Sequence, residues 1–469
     1  MWKLLPALAV LMAASGAVAD PLGPMDCREW LQGKQQALDE AGIRDAGGVR
    51  LEHHPHLRIN RWLARLRDRV DGPDARQQWL ALAGDKALRG WRAELERLHA
   101  PEPAPLERLE HCVETLVEVT GYRGVPDREV PDHYSPWLRT LGVYPVTRWL
   151  ATPFIRNYHR DMTERMEAAE AAEPAARYRL AEHDKGRRPP RPEAFTGNPL
   201  EIPLPPPAAT RALLHHYAPE VLTGEDDEDN RPGRVYLRDG EPAVDTTEPL
   251  LYHWLSHTEF DGRALLQLNY QFWFPRRPPQ QRPDLYAGTL DSVIWRVTLR
   301  PDGRVLFYDS IHSCGCYHKV FPVAEGLEKD DIPGDRPVFS PHPAPDARDT
   351  PVELLLEPDT HYLLRAREAS PGESELPVRK FRPRHTDVLR RLPRDRDDPD
   401  AGVTSLYDDR GLIPASRRLE RWVLWPMGIR SAGAMRQPGT HAIAFIGRRH
   451  FDDPDLPEIL FRTGEGDLW

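Results

Sequence analysis

Apolar residues in the first part of the chain recur every three or four positions, which is the spacing of an α-helix with one buried face. Three segments follow it: Cys27, Trp30, Leu31 and Leu38; then Ile59, Leu63, Leu66 and Val70; then Leu106, Leu109, Cys112, Val113 and Leu116. A further helix is expected over residues 145–172, interrupted near Pro153. The chain from about residue 25 to 180 is therefore predicted to be helical.

The composition changes around residue 186, where KGRRPPRPEAF and then IPLPPPAAT introduce a run of prolines. Proline-rich segments behave as stiff, extended connectors. We therefore divide the chain after the first 19 residues into a helical domain at 20–185, a linker at 186–207 and a second domain at 208–469.

Beyond the linker the apolar period changes from 3.6 to 2, which is the period of a β-strand. Segments 251–260 and 263–274 flank Asp261-Gly262, a strong signal for a two-residue hairpin turn. Further strands are expected at 293–299, 305–309, 352–356, 362–365, 421–424 and 442–446. Hairpins joined by turns predict a mainly antiparallel sheet, folded as a sandwich or a distorted barrel. The predicted fold class is α+β, with a helical N-terminal domain followed by a β-rich C-terminal domain.

Residues 1–19 have the pattern of a secretory signal peptide: Lys3, an apolar run to about residue 14, and Ala17-Val18-Ala19. The run is shorter than the ~20 apolar residues that a spanning helix needs, and Pro6 interrupts it. The alternative is an uncleaved N-terminal anchor. We expect an exported protein, periplasmic or secreted, with no integral membrane span after signal cleavage.

The overall charge restricts the partners. The 469 residues include 63 basic and 73 acidic side chains, a net charge of −10. Nucleic acids and anionic lipids both require a basic binding surface, so neither is expected as the main partner. The expected partner is a small-molecule or cell-envelope ligand that the sequence does not identify.

Four cysteines in an exported chain allow three disulfide pairings. Cys27 and Cys112 each lie on the apolar face of a predicted helix, so two packed helices can bring them together. A bridge closing a loop of this length contributes about 4–5 kcal/mol in loop-entropy models. We predict a structural Cys27–Cys112 disulfide, which leaves Cys314 and Cys316 as a separate local pair.

The segment SIHSCGCYHK at 310–319 is the main candidate site, because His312, Cys314, Cys316 and His318 alternate with other residues. In an extended strand the two histidines would be about 20 Å apart. Metal bonds to nitrogen and sulfur measure only about 2.0–2.3 Å, so a single ion requires the chain to fold back. A positive φ angle at Gly315 would provide that bend.

Three chemistries fit this segment. The four side chains could bind Zn²⁺ or a copper ion, since thiolate and imidazole suit both metals. The two thiols could instead form a local disulfide, which an exported protein favours. In the third hypothesis Cys316 is a catalytic nucleophile with a histidine as its base.

Two histidines of the first hairpin, His253 and His257, are candidates for catalytic bases or further ligands. They share a strand face with Glu259, and two histidines with a carboxylate are a common catalytic metal set. Leu251, Trp254, Leu255 and Phe260 surround them, so ordinary hydrogen-bonded core histidines are the alternative.

A second candidate site is a loop near the C-terminus, where Gly428, Gly433 and Gly439 are interleaved with Arg430 and Arg436. Two guanidinium groups beside exposed backbone N–H groups suit a carboxylate or phosphate ligand. Ordinary surface loops are also rich in glycine and arginine, so a structural role is the alternative.

The leading hypothesis is a metal-dependent enzyme, with a hydrolase favoured over an oxidoreductase. In that hypothesis His312, Cys314, Cys316 and His318 form the site, Zn or Cu is the cofactor, and His253 or His257 assists. The alternative is a non-catalytic envelope protein in which Cys314 and Cys316 form a structural or redox disulfide. Whether the protein is an enzyme is left open by the sequence.

Overall fold

The computed structural model describes residues 22–98, 106–181, 188–224, 227–332, 334–348, 350–369, 376–464 and 468–469. The predicted signal peptide and part of the predicted linker lie outside these residues. Among the helices described, none combines the length and the apolar character needed to cross a membrane.

The helices are concentrated in the first 170 residues. In chain order they are α1 Pro24–Glu40, α2 Arg61–Leu66, α3 Gly72–Leu95, α4 Leu106–Val119, α5 Pro136–Leu141, α6 Tyr144–Ala168, α7 Pro207–His216, α8 Arg421–Leu424 and α9 Leu456–Leu460.

The strands dominate the later chain. They are β1 Val49–Leu51, β2 His54–Ile59, β3 Ala176–Leu180, β4 Glu220–Thr223, β5 Arg234–Arg238, β6 Glu241–Asp245, β7 Leu250–Phe260, β8 Arg263–Arg277, β9 Gly288–Leu299, β10 Val305–His312, β11 Lys319–Pro322, β12 Leu327–Lys329, β13 Val338–Phe339, β14 Val352–Leu356, β15 Leu363–Glu368, β16 Val378–His385, β17 Leu392–Pro393, β18 Val403–Thr404 and β19 Phe461–Thr463.

The helices α1, α3 and α4 pack with β2 around a core of their own. Its members include Leu31, Trp79, Trp91 and Leu116, all buried. The predicted Cys27–Cys112 disulfide is confirmed and joins α1 to α4 inside this core. The apolar faces from which α1 and α4 were predicted are therefore the faces that are buried in this core.

Eleven strands form one large sheet in the order β13-β11-β10-β9-β8-β7-β16-β3-β4-β14-β15. Neighbours from β11 to β7 are antiparallel, whereas β16 runs parallel to both β7 and β3. The prediction of a helical N-terminal part followed by a β-rich part is confirmed at that level, and the sheet is mostly antiparallel but mixed. The division at residue 186 stays a prediction; β3, which precedes it, belongs to this sheet.

Local turn chemistry explains the strongest hairpin. Asp261 and Gly262 have φ angles of +51° and +69°, the left-handed pair that a tight β-turn between two twisted strands requires. The predicted hairpin of β7 and β8 is therefore confirmed, with Phe260 paired to Arg263.

Four local predictions are wrong. Ile59 was predicted to lie on a helical face, but it is the last residue of β2. The helix α2 starts after it, because the Asn60 side chain accepts a hydrogen bond from Leu63 N at 3.0 Å. Residues 421–424 form the helix α8, since the N–H groups of Val423 and Leu424 both donate to the Glu420 carbonyl. Residues 442–446 were predicted to be a strand, but they make only one isolated bridge, between Ala442 and His450. The helix α6 was predicted to be interrupted near Pro153, but it continues through this residue.

Candidate functional site

The segment after β10 folds back as a tight turn. Gly315 N donates to His312 O at 2.8 Å, and His312 N donates to Cys316 O at 3.0 Å. Gly315 has a φ angle of +86°, and an added Cβ would lie 2.4 Å from Ala442 O. The predicted bend at Gly315 is confirmed, and glycine is required there for conformation and for space.

The two histidines of this turn contact different carboxylates. His312 Nδ1 lies 3.3 Å from Asp291 Oδ1, and His318 Nε2 lies 3.1 Å from Asp309 Oδ2. Residues 309 and 312 of β10 are separated by an odd number of positions, so their side chains point to opposite faces of the sheet. The His312 ring packs against Tyr317 and the His318 ring against Phe451.

The four predicted metal ligands are therefore not gathered around one point. Across the described ranges, no group of three or more His, Cys, Asp or Glu side chains is arranged to hold a metal ion. The Zn or Cu site stays a prediction.

Cys314 and Cys316 are free and buried. The pKa of the Cys316 thiol is raised well above its ordinary value. The main cause is a hydrogen bond with Cys314, and burial is the second cause. A thiol must ionise to act as a nucleophile, so this environment favours the unreactive, protonated form of Cys316.

The core of the turn is held by Asp291, a fully buried carboxylate that the sequence reasoning missed. Asp291 is 3.3 Å from His312, 2.9 Å from His361 and 3.0 Å from Arg418. Burial opposes its ionisation, but His312 and Arg418 hold its pKa well below the ordinary range. Burial in turn lowers the pKa of His312 to about 4, so its ring is neutral at pH 7. This network ties four distant segments together, which is a structural role.

His253 and His257 lie on β7, and β8 and β9 separate them from β10. His257 Nε2 is 2.8 Å from Pro203 O, and its ring stacks on Trp62. The His253 ring lies beside His385, and burial lowers its pKa to about 4. The structure does not bring either of them to Cys316, and their catalytic role stays a prediction.

A cavity of about 580 Å³ lies where the N-terminal region, β7, β8 and the C-terminal loop meet. Its lining residues include Asn60, Arg61, Trp62, His133, Ser256, His257, Gln267, Arg430, Arg436, Gly439 and Asp452. The two arginines predicted to bind a carboxylate or phosphate therefore line one cavity, together with His257.

Arg436 is the unusual member of this lining, because it is only 2% exposed. Its Nε donates to Cys314 O at 3.3 Å and its Nη2 donates to Arg430 O at 2.6 Å. These two partners, and the Ser431 carbonyl at 3.5 Å from Nη2, are neutral, and no carboxylate among the described residues lies within ion-pair distance of its guanidinium group. Burial lowers its pKa from the ordinary value. Arg436 is thus a buried cation beside a cavity.

The cavity carries further positive charge. Arg44, Arg410 and Arg430 are exposed and line its mouth. Among the other charged lining residues, Arg61 pairs with Asp453 at 2.5 Å and Asp45 pairs with Arg390 at 2.9 Å. Two further carboxylates, Asp409 and Asp452, and the amine of Lys86 also line the cavity, so basic side chains outnumber acidic ones. The remaining charge favours an anion in the cavity.

A pair of histidines adds a neutral donor. Asp452 N donates to His450 Nδ1 at 3.2 Å, which places the proton of His450 on Nε2. That Nε2 is 3.3 Å from His133 Nδ1, so His133 accepts there and keeps its own proton on Nε2. Burial lowers the pKa of His133 to about 4. His133 therefore lines the cavity as a neutral imidazole with one N–H.

Sequence reasoning missed His133 as a member of a site. His133 lies in the loop between α4 and α5 and has a φ angle of +61°. No sequence pattern predicts this conformation for a histidine.

In three comparisons, no protein-family model, no curated protein and no solved structure gave a significant match to this chain.

Proposed function

We propose that this protein binds a small anionic ligand, carrying a carboxylate or phosphate group, in the cavity lined by Arg430 and Arg436. The observation that carries the proposal is the buried guanidinium of Arg436, which has only carbonyl partners and lies beside the cavity. A buried charge without an opposite partner costs several kcal/mol, and a bound anion removes that cost.

The size and lining of the cavity fit this class of ligand. Small-molecule sites generally measure about 300–1,000 Å³ and combine apolar walls with a few placed polar groups. Here Trp62 and Trp254 supply apolar walls, while the N–H of His133 can donate a hydrogen bond to the rest of the ligand. Arg430 and Arg436 both line the cavity, and each guanidinium group can donate to an oxygen of an anionic ligand.

We further propose that the protein is exported and acts in the periplasm or outside the cell, as residues 1–19 indicate. The binding proposal develops the alternative of a non-catalytic envelope protein. A metal-dependent hydrolase at His312–His318 stays a prediction, and metal analysis of protein purified without a His-tag tests it: near-stoichiometric Zn or Cu supports the enzyme hypothesis.

Isothermal titration with inorganic phosphate and with succinate, at constant ionic strength, tests the binding proposal. Wild-type protein is expected to bind at least one of these anions. Arg430→Gln removes a charged donor from an exposed side chain and should weaken binding about tenfold or more. Arg436→Gln should abolish it.

Arg211→Gln is the matched control, since Arg211 is an exposed arginine on α7 that does not line the cavity. It should bind as wild type does. Binding that survives both cavity substitutions, or no binding of either anion by wild-type protein, would contradict the proposal. Because Arg430 is exposed, its variant stays informative even if Arg436→Gln fails to fold.

A further inference from the structure

The first half of α6 presents its apolar residues to solvent. Val146, Trp149, Leu150, Pro153 and Phe154 follow the i, i+3, i+4, i+7, i+8 spacing that normally marks the buried face of a helix. Trp149 is nevertheless 73% exposed and Phe154 is 78% exposed. The buried residues of α6 are Met162 and Met166, both in its second half. Most of the surface of this stripe is therefore exposed to solvent.

Neighbouring elements extend this stripe into a surface. Both α5 and α6 contact the short turn Trp425–Met427, which follows α8. Ser135, just before α5, donates its N–H to Gly428 O at 2.8 Å. Trp137 on α5 and Trp422 on α8 are each 67% exposed. We call the exposed apolar side chains of these contacting elements the apolar face and define it by Trp137, Val146, Trp149, Leu150, Phe154 and Trp422.

The charge around the apolar face differs from that of the whole chain. Between Asp132 and Asp161 there is no acidic residue, although the chain has a net charge of −10. Arg156 and Arg160 are exposed and stand seven and eleven positions after Trp149, on the same side of α6. Arg417 is exposed near α8, where the one acidic side chain, Glu420, is buried. The part of α6 that carries the apolar stripe is therefore flanked by basic residues, and acidic side chains resume only at Asp161.

We propose that the apolar face docks onto the surface of a membrane that contains anionic lipids. Exposed tryptophan and phenylalanine rings suit the boundary between headgroups and acyl chains, and flanking arginines suit anionic headgroups. The first half of α6 then lies in the plane of the membrane, with its apolar stripe inserted and Arg156 and Arg160 among the headgroups. The expectation that lipid is not a partner rested on net charge, which does not describe this face. The inference is independent of the proposed ligand cavity.

Vesicle co-sedimentation tests the proposal, with vesicles of phosphatidylglycerol in phosphatidylcholine and vesicles of phosphatidylcholine alone. The full-length wild-type chain should bind the anionic vesicles more strongly. Trp149→Ser combined with Phe154→Ser should lower that partition about tenfold or more. Arg156→Glu combined with Arg160→Glu should lower it on anionic vesicles and leave neutral vesicles unaffected.

Two control pairs make the same chemical changes elsewhere. Leu106→Ser with Val119→Ser alters exposed apolar residues on α4, and Arg211→Glu with Arg238→Glu matches the change in net charge. Both pairs should bind vesicles as wild type does. Every protein carries the same N-terminus, so a difference between variants reports the apolar face. Vesicle binding that both α6 variants retain would overturn the proposal. So would a wild-type chain that ignores vesicles and dimerises until Trp149 and Phe154 are replaced.

Discussion

Gly315→Ala is expected to destabilise the protein by about 2–4 kcal/mol. An L-residue pays about 1 kcal/mol to adopt the left-handed conformation that Gly315 occupies at φ +86°. The new Cβ would also lie 2.4 Å from Ala442 O, well inside van der Waals contact. Overpacking that forces a backbone to shift costs a further ~1–3 kcal/mol.

Gly240→Ala separates these two contributions. Gly240 has a φ angle of +78°, and a Cβ there meets no atom within 4 Å. Its replacement should therefore cost only the conformational part, about 1 kcal/mol. The difference between the two variants isolates the contact between the turn and the C-terminal loop.

Urea denaturation gives the two losses of stability, and the reaction of native protein with a thiol reagent gives a local readout. Gly315→Ala should lower the urea midpoint more than Gly240→Ala and should speed modification of Cys314 and Cys316, which the turn buries. Equal losses of stability, with thiols as protected as in wild type, would refute the close approach of Gly315 to Ala442.

Three further predictions concern other buried groups. Thiol counting should give two reactive thiols in denatured protein, from Cys314 and Cys316, and very slow reaction in native protein; no thiol after denaturation would indicate a disulfide. Replacing Cys27 and Cys112 by serine should lower the free energy of unfolding by about 4 kcal/mol in urea, and an unchanged midpoint would contradict a structural bridge. Burial raises the pKa of Glu420 from 4.5 to about 7, so its contribution to stability is present below pH 4.5 and is lost as the pH rises through 7. Glu420→Gln should therefore gain up to about 3 kcal/mol over wild type between pH 5 and 8, and a pH-independent difference would contradict this.

Periodicity predicted the parts of the fold that local sequence controls. The apolar faces of α1 and α4, with Cys27 and Cys112, and the hairpin at Asp261-Gly262 were predictable, because a helix or a tight turn needs only a few neighbouring residues to define it. The parallel pairing of β16 with β7 and β3 was not, since it joins segments more than 100 residues apart. The exposed stripe of α6 shows the opposite limit, because helical periodicity does not reveal whether a face is buried.

The candidate site was predictable in fragments. The bend at Gly315 was predicted because His312 and His318 would lie too far apart in an extended strand to bind one metal ion. Arg430 and Arg436 were predicted from their spacing in a glycine-rich loop. The carboxylate partners of His312 and His318 could not be assigned, because the pairing register of β9 and β10 decides which face each side chain takes. The approach of His133 to His450 spans 317 positions and depends on the assembled fold.

The most direct test of the anion-binding cavity is a crystal soaked in selenate, whose anomalous signal locates a phosphate-like anion. We expect a peak inside the cavity, within hydrogen-bond distance of the Arg436 guanidinium group and close to Arg430. An empty cavity at full soaking concentration, with selenate only on the outer surface, would contradict the proposed function.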